Sequence, residues 1–452
     1  MTKIKKAAAA AIMLALAVAA VNGCKNKINQ NTDDKTVISV CGLSKSESSD
    51  SIIKEFMEKY PDIQVEAADW KYNPDTFMQI AEEGELPTVF DTWFSEVNKI
   101  IDSGYSADIT DNLLNYGYVD EINPVLLELV TNDDGRIYGL PINAYAQGLY
   151  INKNLFVQSG LVNEDGSVKI PDTYKDVAEF SKLIKNKTGA AGFYIPCTGR
   201  LGGWYLMNIA WSNGVEFVEK QKDGTWKASF DVPEFYSTLE WLYNLKWKDK
   251  GLPDDENDYS ADINGMFFEN RLAMMFGDPP RRKSEDEMVV ARVPKGSKNR
   301  VSQMGGNLYM LNAEATPEQI DAVFKWLEFR GVSPEYTDSQ MKLEEEKYRN
   351  NYENDDIVLP QVVFDVWITP ERIEKSKEIR KKYVNINPED YKSYLGFEGV
   401  IIRPEVSVCC QGLYEILDGV IKEIYTNPDV DIPSVVKKAA QEWQIKYLDK
   451  IR

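Results

Sequence analysis

Residues Thr36 to Ala67 read TVISVCGLSKSESSDSIIKEFMEKYPDIQVEA. The opening TVISVCG is β-branched and apolar enough for a buried strand. From Asp50 to Tyr60 the side chains Ile52, Ile53, Phe56 and Tyr60 recur at helical spacing, and Pro61 ends the run. Ile63 to Ala67 returns to strand character, and Thr88 to Phe94 supplies a further strand. Strands that alternate with amphipathic helices need crossover connections, so this spacing predicts an α/β fold with a mainly parallel sheet.

The same grammar continues downstream. Thr173 opens a helix with Val177, Phe180 and Ile184 inward, and Asp176 sits where a capping box places its acid. Thr316-Pro317-Glu318-Gln319 is a stronger start, with a hydroxyl cap, proline at the first helical position and glutamine three residues on. Ile320, Val323, Phe324 and Leu327 form its buried stripe; Leu413, Ile416, Leu417, Val420 and Ile424 mark another helix, and Val436, Ala439, Trp443 and Tyr447 the last. Trp326 and Trp443 lie on such stripes and are expected in the core, with Trp241 and Trp247. Lys342 to Asp356 is charge-rich and reads as a solvated loop or helix. The cluster Asp254, Asp255, Glu256, Asp258 and Asp262 lacks the glycine and terminal glutamate of an EF-hand loop, so it reads as an exposed acidic loop.

The N-terminus carries Lys3, Lys5 and Lys6, then an Ala/Leu/Val/Ile/Met run from Ala7 to Val21, then Gly23 and Cys24. This is the layout of a secretory signal, with an apolar run too short for a comfortable membrane span. Val21-Asn22-Gly23-Cys24 looks like a bacterial lipobox, although Val21 and Asn22 depart from the usual Leu and Ser/Ala; the alternative is an ordinary cleaved signal followed by an incidental cysteine. Cys24 is the expected lipidation site, residues 1–23 the signal, and residues 24–35 a polar tether that cannot pack. Without the three signal lysines the formal charge of −20 becomes −23. Such a surface repels nucleic acid and anionic membranes.

Histidine is absent, which removes Ser-His-Asp and Cys-His nucleophile systems, H-E-x-x-H zinc sites and any histidine base. Carboxylate-only chemistry, as in glycoside hydrolysis, survives. Cys41, Cys197, Cys409 and Cys410 show no C-x-x-C spacing, so neither a zinc knuckle nor a thioredoxin motif is supported, and no metal or cofactor is expected. Cys409 and Cys410 read as buried free thiols, a strained bridge between them being the alternative. Gly202-Gly203 and Gly305-Gly306 lack the spacing of a phosphate-gripping loop.

One segment is more specific. GRIYGLPINAYAQGLYINKNLF, Gly135 to Phe156, closely resembles the stretch by which family 1 extracellular solute-binding proteins cross between lobes. Tyr138, Gly139, Leu140, Pro141, Leu149, Tyr150, Asn152, Lys153, Leu155 and Phe156 carry the match. FMEKYPDIQV, EEGELPTVFDTWFSE, PDTYKDVAEFSKLI, MFFENRLAMMFGDPP and VPKGSKNRVSQMGGNLYML resemble further family segments in order, with Thr88 in a usual Asp position and Asn270 in a usual Gly position. The resemblance implies a two-lobed periplasmic-binding-protein-like fold with discontinuous lobes, a hinge and a cleft between them. It places residues 36–143 and 305–335 in the N-lobe and residues 144–304 and 336–452 in the C-lobe. Crossovers fall near Pro141 to Tyr145, near Met304 to Asn307, and between Gly331 and Met341.

The implied function is capture of a sugar or oligosaccharide by a monomeric, lipid-anchored extracytoplasmic subunit that delivers it to the membrane subunits of an ABC permease. A sugar site needs flat aromatics and a few fixed polar groups. Trp93 and Ser95 follow the third strand, Tyr145 lies in the first crossover, and Trp204 follows Gly202-Gly203 in the loop before the helix of Ile209 and Trp211. Ser44 follows the first strand, and Asp278 lies at a turn the family aims at its cleft. These six are the candidate ligand residues, against packed or rim positions for each. Arg281-Arg282-Lys283 is a basic island that could select an anionic sugar or be a solvated lip. Rival readings are a secreted carboxylate-dependent carbohydrate-active enzyme and a ligand-sensing lipoprotein.

Overall fold

The computed structural model describes residues 35–43, 47–254, 262–277, 288–361 and 364–451. The signal, Cys24, Ser44, Asp278, Arg281 to Lys283 and the middle of the acidic cluster lie outside the described residues.

The opening strand–helix–strand forms as its spacing predicts. Strand β1 (Thr36–Val40), helix α1 (Glu47–Lys59) and strand β2 (Ile63–Ala67) are followed by β3 (Val89–Trp93), and β1 pairs in parallel with both other strands. The inward face of α1 carries Phe56, fully buried and edge-on to Trp326 at 5.1 Å. Trp326 lies on α5 (Pro317–Phe329), whose Thr316/Gln319 capping box is complete. Thr88, in place of the family's aspartate, keeps that corner bonded: its N–H donates to Ser39 Oγ at 2.8 Å and its Oγ1 accepts from Ser39 N at 3.0 Å.

Beyond these crossovers the sheet is mixed rather than mainly parallel. The long strand β11 (Val301–Leu311) runs antiparallel to β3 and to β4 (Gly139–Ala146), and parallel to β12 (Ile401–Arg403). Among the described residues this sheet has six strands in all. A second, four-stranded sheet has the order β10 (Met288–Ala291), β5 (Gly148–Asn152), β9 (Leu272–Gly277), β6 (Ala191–Phe193), and only its β6–β9 pair is parallel. A small hairpin of β7 (Val218–Lys220) and β8 (Trp226–Ala228) stands apart. The mixed pairing arises because β11 returns to the first sheet from the other half of the molecule while β4 leaves for it, neither through a helical crossover.

Two apolar cores result. The first gathers Ile38 to Leu140, Met304 to Leu327 and Val366; the second gathers Leu149 to Val301 and Ile357 to Leu448. Each core therefore draws on discontinuous chain. The stretch after residue 335 touches both: Ile357 and Leu359 pack on the second core, and Phe364, Val366 and Trp367 on the first. Ahead of them, Lys342 to Asp356 is mostly helix, its greater part in α6 (Asp338–Glu353), which pairs with α7 (Pro370–Lys381) through Glu344, Ser376, Arg380 and Tyr348.

The second core is built on α2 (Tyr174–Thr188), with its predicted Thr173/Asp176 capping box, on α3 (Leu201–Ser212) and α4 (Pro233–Trp247), and on α8 (Cys410–Thr426) and α9 (Ile432–Lys446). Trp443 is fully buried there, while Trp241 and Trp247 are half-buried, their indole N–H groups donating to Tyr174 O and Ile424 O. Asn270 stands at φ 58°, the left-handed region its family glycine would favour, and its Oδ1 accepts from Asn152 Nδ2 at 2.9 Å. The four described cysteines are free thiols.

Helices α3 and α8 meet backbone to backbone. A Cβ on Gly203 would lie 2.5 Å from Tyr414 Cα, whereas one on the exposed Gly419 of the same α8 would meet nothing within 4 Å. Gly203→Ala should therefore destabilise the protein by roughly 1–3 kcal/mol through overpacking. Gly419→Ala should be neutral or stabilising by up to ~1 kcal/mol. Urea denaturation of both variants reads the contrast, and equal stability would refute the close packing of α3 on α8.

Candidate functional site

Alternation along β11 decides what faces the space between the cores. Met304, Leu308 and Met310 point into the first core, and a Cβ on Gly306 would strike Phe94 and the Asn143 carbonyl. Gln303, Gly305 and Asn307 therefore share the opposite face, since strand side chains alternate. Directly paired residues point the same way, and Gly305 pairs with Tyr145 while Asn307 pairs with Trp93 and with Asn143. The Tyr145 ring lies over Gly305, where an added Cβ would come within 2.8 Å of the ring's nearest atoms. Gly305 is thus required for close approach of an aromatic ring.

Trp204 reaches the other end of this face. Its indole N–H donates to the Gln303 side-chain oxygen at 3.1 Å, with the amide oriented so that its NH₂ donates to the Trp204 carbonyl. Trp93, Tyr145 and Trp204 consequently lie along one strand face, all half-buried, with Gln303 and Asn307 about 13 Å apart along β11. Trp93 packs on the first core with its ring edge-on to Tyr72 at 5.2 Å; Trp204 packs on the second. The three predicted aromatics are brought together from both halves of the molecule.

Trp204 is not in a loop, as its sequence context predicts, but in the first turn of α3. The helix starts at Leu201 because Asp418, on α8, supplies the cap: its Oδ2 accepts from Arg200 N at 2.6 Å and its Oδ1 from Gly203 N at 2.8 Å. Arg200 itself stands in the left-handed region at φ 67°. Burial pushes the Asp418 carboxyl up to about 6, against the opposing pull of the backbone N–H groups and Arg200.

Ser95 is buried, and its Oγ accepts from Gln411 Nε2 across the cleft at 3.1 Å. Its hydroxyl is thus used between lobes, on an element beside Trp93. Further contacts bridge the halves: Asn98 Nδ2 to Ser407 O at 2.8 Å and Arg200 Nη2 to Asp75 Oδ1 at 2.6 Å, the same Arg200 being steadied within its own half by Glu415 Oε2 at 3.3 Å. The hydrogen bond from Arg200 holds the Asp75 carboxyl below its ordinary range. Near the same wall, buried Glu96 accepts from the Tyr72 hydroxyl at 2.5 Å and pairs with Lys99 at 3.3 Å. Burial first, then the Glu96 charge, push the Cys409 thiol up to about 11, so it stays protonated near neutral pH. Among the described residues no group of three or more Cys, Asp or Glu has the arrangement of a metal site.

Sequence reasoning missed Gln303, Asn307, Asn143, Arg200 and Gln411. The alternating polar residues of VSQMGGNLYML were a signal for the first two; the others depend on contacts between distant segments.

The chain matches the family described as bacterial extracellular solute-binding protein over residues 44–330. It belongs to that family. Its membership implies an extracytoplasmic location, and among the described residues no helix is long and apolar enough to cross a membrane. A curated relative, the melibiose/raffinose/stachyose-binding protein MelE of Bacillus subtilis, is 26% identical over 184 residues, 39% of this chain and 40% of that protein. The alignment spans about two fifths of that relative's length. Two solved structures share the fold over 91% of this solute-binding protein. The ABC substrate-binding protein Lmo0181 of Listeria monocytogenes in complex with cycloalternan has a TM-score of 0.68 at 17% identity over 99% of its chain. UgpB of Mycobacterium tuberculosis in complex with glycerophosphocholine has the same score at 14% identity over 98% of its chain. The fold is that of two-lobed binding proteins, with the two cores above as its lobes.

Asp418 gives this solute-binding protein a testable pH signature. Its folded pKa lies above the ordinary carboxyl value, so the native state holds the extra proton between about pH 4 and 6. The stability that this carboxyl contributes is complete at the acid side of that window and is lost as pH rises through it. Asp418→Asn lacks the titration. The stability gap of wild type over the variant should shrink by up to about 3 kcal/mol from pH 4 to pH 7, measured by urea midpoints at both values. A gap that widens with pH would show that the carboxyl is held ionised.

Proposed function

We propose that this chain is the lipid-anchored, ligand-capturing subunit of an ABC importer and that it takes a sugar or oligosaccharide between its lobes. The observation that carries the reading is the shared face of β11. Trp93, Tyr145 and Trp204, drawn from two lobes and a crossover strand, line one polar-edged surface with Asn143 and Asn307, and the buried Gln303 amide holds Trp204 from beneath. Flat rings beside amides are what pyranose faces and their hydroxyl rims require. The oligosaccharide ligand in the MelE name and cycloalternan in the Listeria complex support the same ligand class. The family's role supports delivery to membrane permease subunits, and the lobes, divided near residues 143, 304 and 335, would close on the ligand as a hinge.

Binding without turnover separates this reading from a carboxylate-dependent carbohydrate-active enzyme. A thermal-shift screen over mono-, oligo- and acidic saccharides should find a stabilising ligand that is recovered intact. Trp93→Ala and Trp204→Ala should each weaken it by ~2 kcal/mol, roughly thirtyfold in Kd by calorimetry. Unchanged affinity in both variants would remove the β11 face from the site, and hydrolysis of the saccharide would favour the enzyme.

The anchor rests on Cys24 beside the secretory signal. Cys24→Ala should move the protein from the membrane fraction to the soluble fraction. A variant that still partitions with detergent-extracted membranes would show that the lipid is not attached there. Co-purification with permease subunits would favour transport over sensing.

A further inference from the structure

A second concavity shares no lining residue with the aromatic face of β11; its cationic wall comes from the second-core half and its Ile401 from β12 of the first sheet. It is a shallow basin of about 580 Å³ lined by Asp172, Arg292, Lys295, Lys298, Arg300 and Ile401, with Asn299, Glu398 and Gly399 completing the rim. In a chain with 52 basic against 72 acidic residues, this basin collects four cations and two carboxylates.

Its base is built and its rim is free. Arg300 is only 7% exposed; its guanidinium donates to Val293 O at 2.6 Å and to Asp172 Oδ1 at 2.5 Å. Arg292 donates to Glu398 O at 2.8 Å and to the same Asp172 oxygen at 3.3 Å. One carboxylate thus serves two fixed guanidinium groups, which leaves local positive charge in excess. Lys295 and Lys298 are exposed, and among the described residues neither ammonium has an ion-pair or hydrogen-bond partner. Ile401, the first residue of β12, lines the basin and is 50% exposed.

We propose that this basin docks an acidic segment of a protein partner carrying an apolar residue for Ile401. Charge complementarity selects that occupant. The rest of the chain is strongly acidic and repels an acidic partner, so a local basic surface sets both the place and the orientation of encounter. A small anion is disfavoured because the arginine donors are already engaged, leaving two exposed ammonium groups that are screened within about 8 Å at physiological salt. A polypeptide with several carboxylates can span both lysines and cover the isoleucine. The inference rests on the reading of the chain as a ligand-delivering subunit, whose task requires a protein partner.

The test uses the purified full-length chain and a fluorescein-labelled acidic pentapeptide, glutamates flanking a central isoleucine. Lys295→Glu with Lys298→Glu should weaken peptide binding at least tenfold at low salt, and Lys295→Ala with Lys298→Ala should do so to a lesser degree. Lys437→Glu with Lys438→Glu, an equal charge change on exposed positions of α9 outside the basin, should leave it intact. Equal loss in that control, or no loss in the basin pair, overturns the proposal. Displacement of the peptide by inorganic phosphate at matching concentration would reduce the basin to a small-anion site and overturn it. So would basin-dependent co-sedimentation with phosphatidylglycerol vesicles in the absence of peptide binding. Saccharide affinity of the basin variants should equal that of the wild type; a chain that binds no saccharide at all would instead count against the proposed function.

Discussion

Strand β11 must serve two apolar cores with one backbone, and the place where it passes between them is held by buried amides. Gln147 N donates to Gln303 O at 3.1 Å, Ser302 Oγ donates to Gln147 O at 2.8 Å, and Gln303 N donates to Asn208 Oδ1 at 2.8 Å. Asn208 Nδ2 in turn donates to Gln147 Oε1. All four side chains are fully buried. Away from water each orphaned group costs about 1–3 kcal/mol, and of the polar atoms on these four side chains Gln147 Nε2 alone lacks a partner among the described residues. The network therefore ties the β4–β5 junction, α3 and β11 to one another at a point where neither core could hold them by apolar contact alone.

That constraint also arranges the cleft. Asn208 lies one turn beyond Trp204 on α3, so anchoring Asn208 to β11 fixes the height at which Trp204 meets Gln303. Asp418 holds the first turn of the same helix, and Gly202 and Gly203 let it approach α8 closely enough for that cap. Farther along the strand, Gly305 yields its side-chain volume to the Tyr145 ring and Asn307 stands beside Trp93. The aromatic face is thus a consequence of strand register, close contacts at three glycines and one buried carboxylate.

Much of this architecture could be read from local pattern, and the portions that could not share a cause. Capping boxes at Thr173 and Thr316, the stripe of α1 and the core positions of Trp326 and Trp443 are local, and the structure carries them as expected. Helix α3 begins earlier than its sequence suggests because its cap is supplied by Asp418, far away in the chain, with no capping side chain at Arg200. The sheet is mixed because β11 pairs with strands from remote segments, which periodicity cannot specify. Gly305 looks like a freely rotating position; its role is instead set by a ring on another strand. The resemblance nominated Trp93, Tyr145 and Trp204, which the fold brings to one strand face, whereas the engagement of Ser95 by Gln411 needed the folded lobes.

The contacts across the cleft bear on how firmly the lobes hold each other. The Arg200–Asp75 pair has a half-buried guanidinium and an exposed carboxylate, and Lys220–Asp133, which also joins the lobes, is exposed on both sides. Pairs of this kind are each worth about 0–1 kcal/mol. The neutral bonds Gln411–Ser95 and Asn98–Ser407 add roughly 0.5–1.5 kcal/mol apiece when they replace bonds to water. Ordering the side chains that make them offsets part of this gain. Moving a two-state equilibrium from 1:99 to 99:1 takes about 5.5 kcal/mol of preference for one state. The direct lobe–lobe contacts are therefore too weak to lock the cleft by a wide margin, yet enough to lower what a ligand must supply. On the proposed reading, a ligand gripped by Trp93 on one lobe and Trp204 on the other would gain its second aromatic face only on closure. That is the differential affinity which such a shift requires.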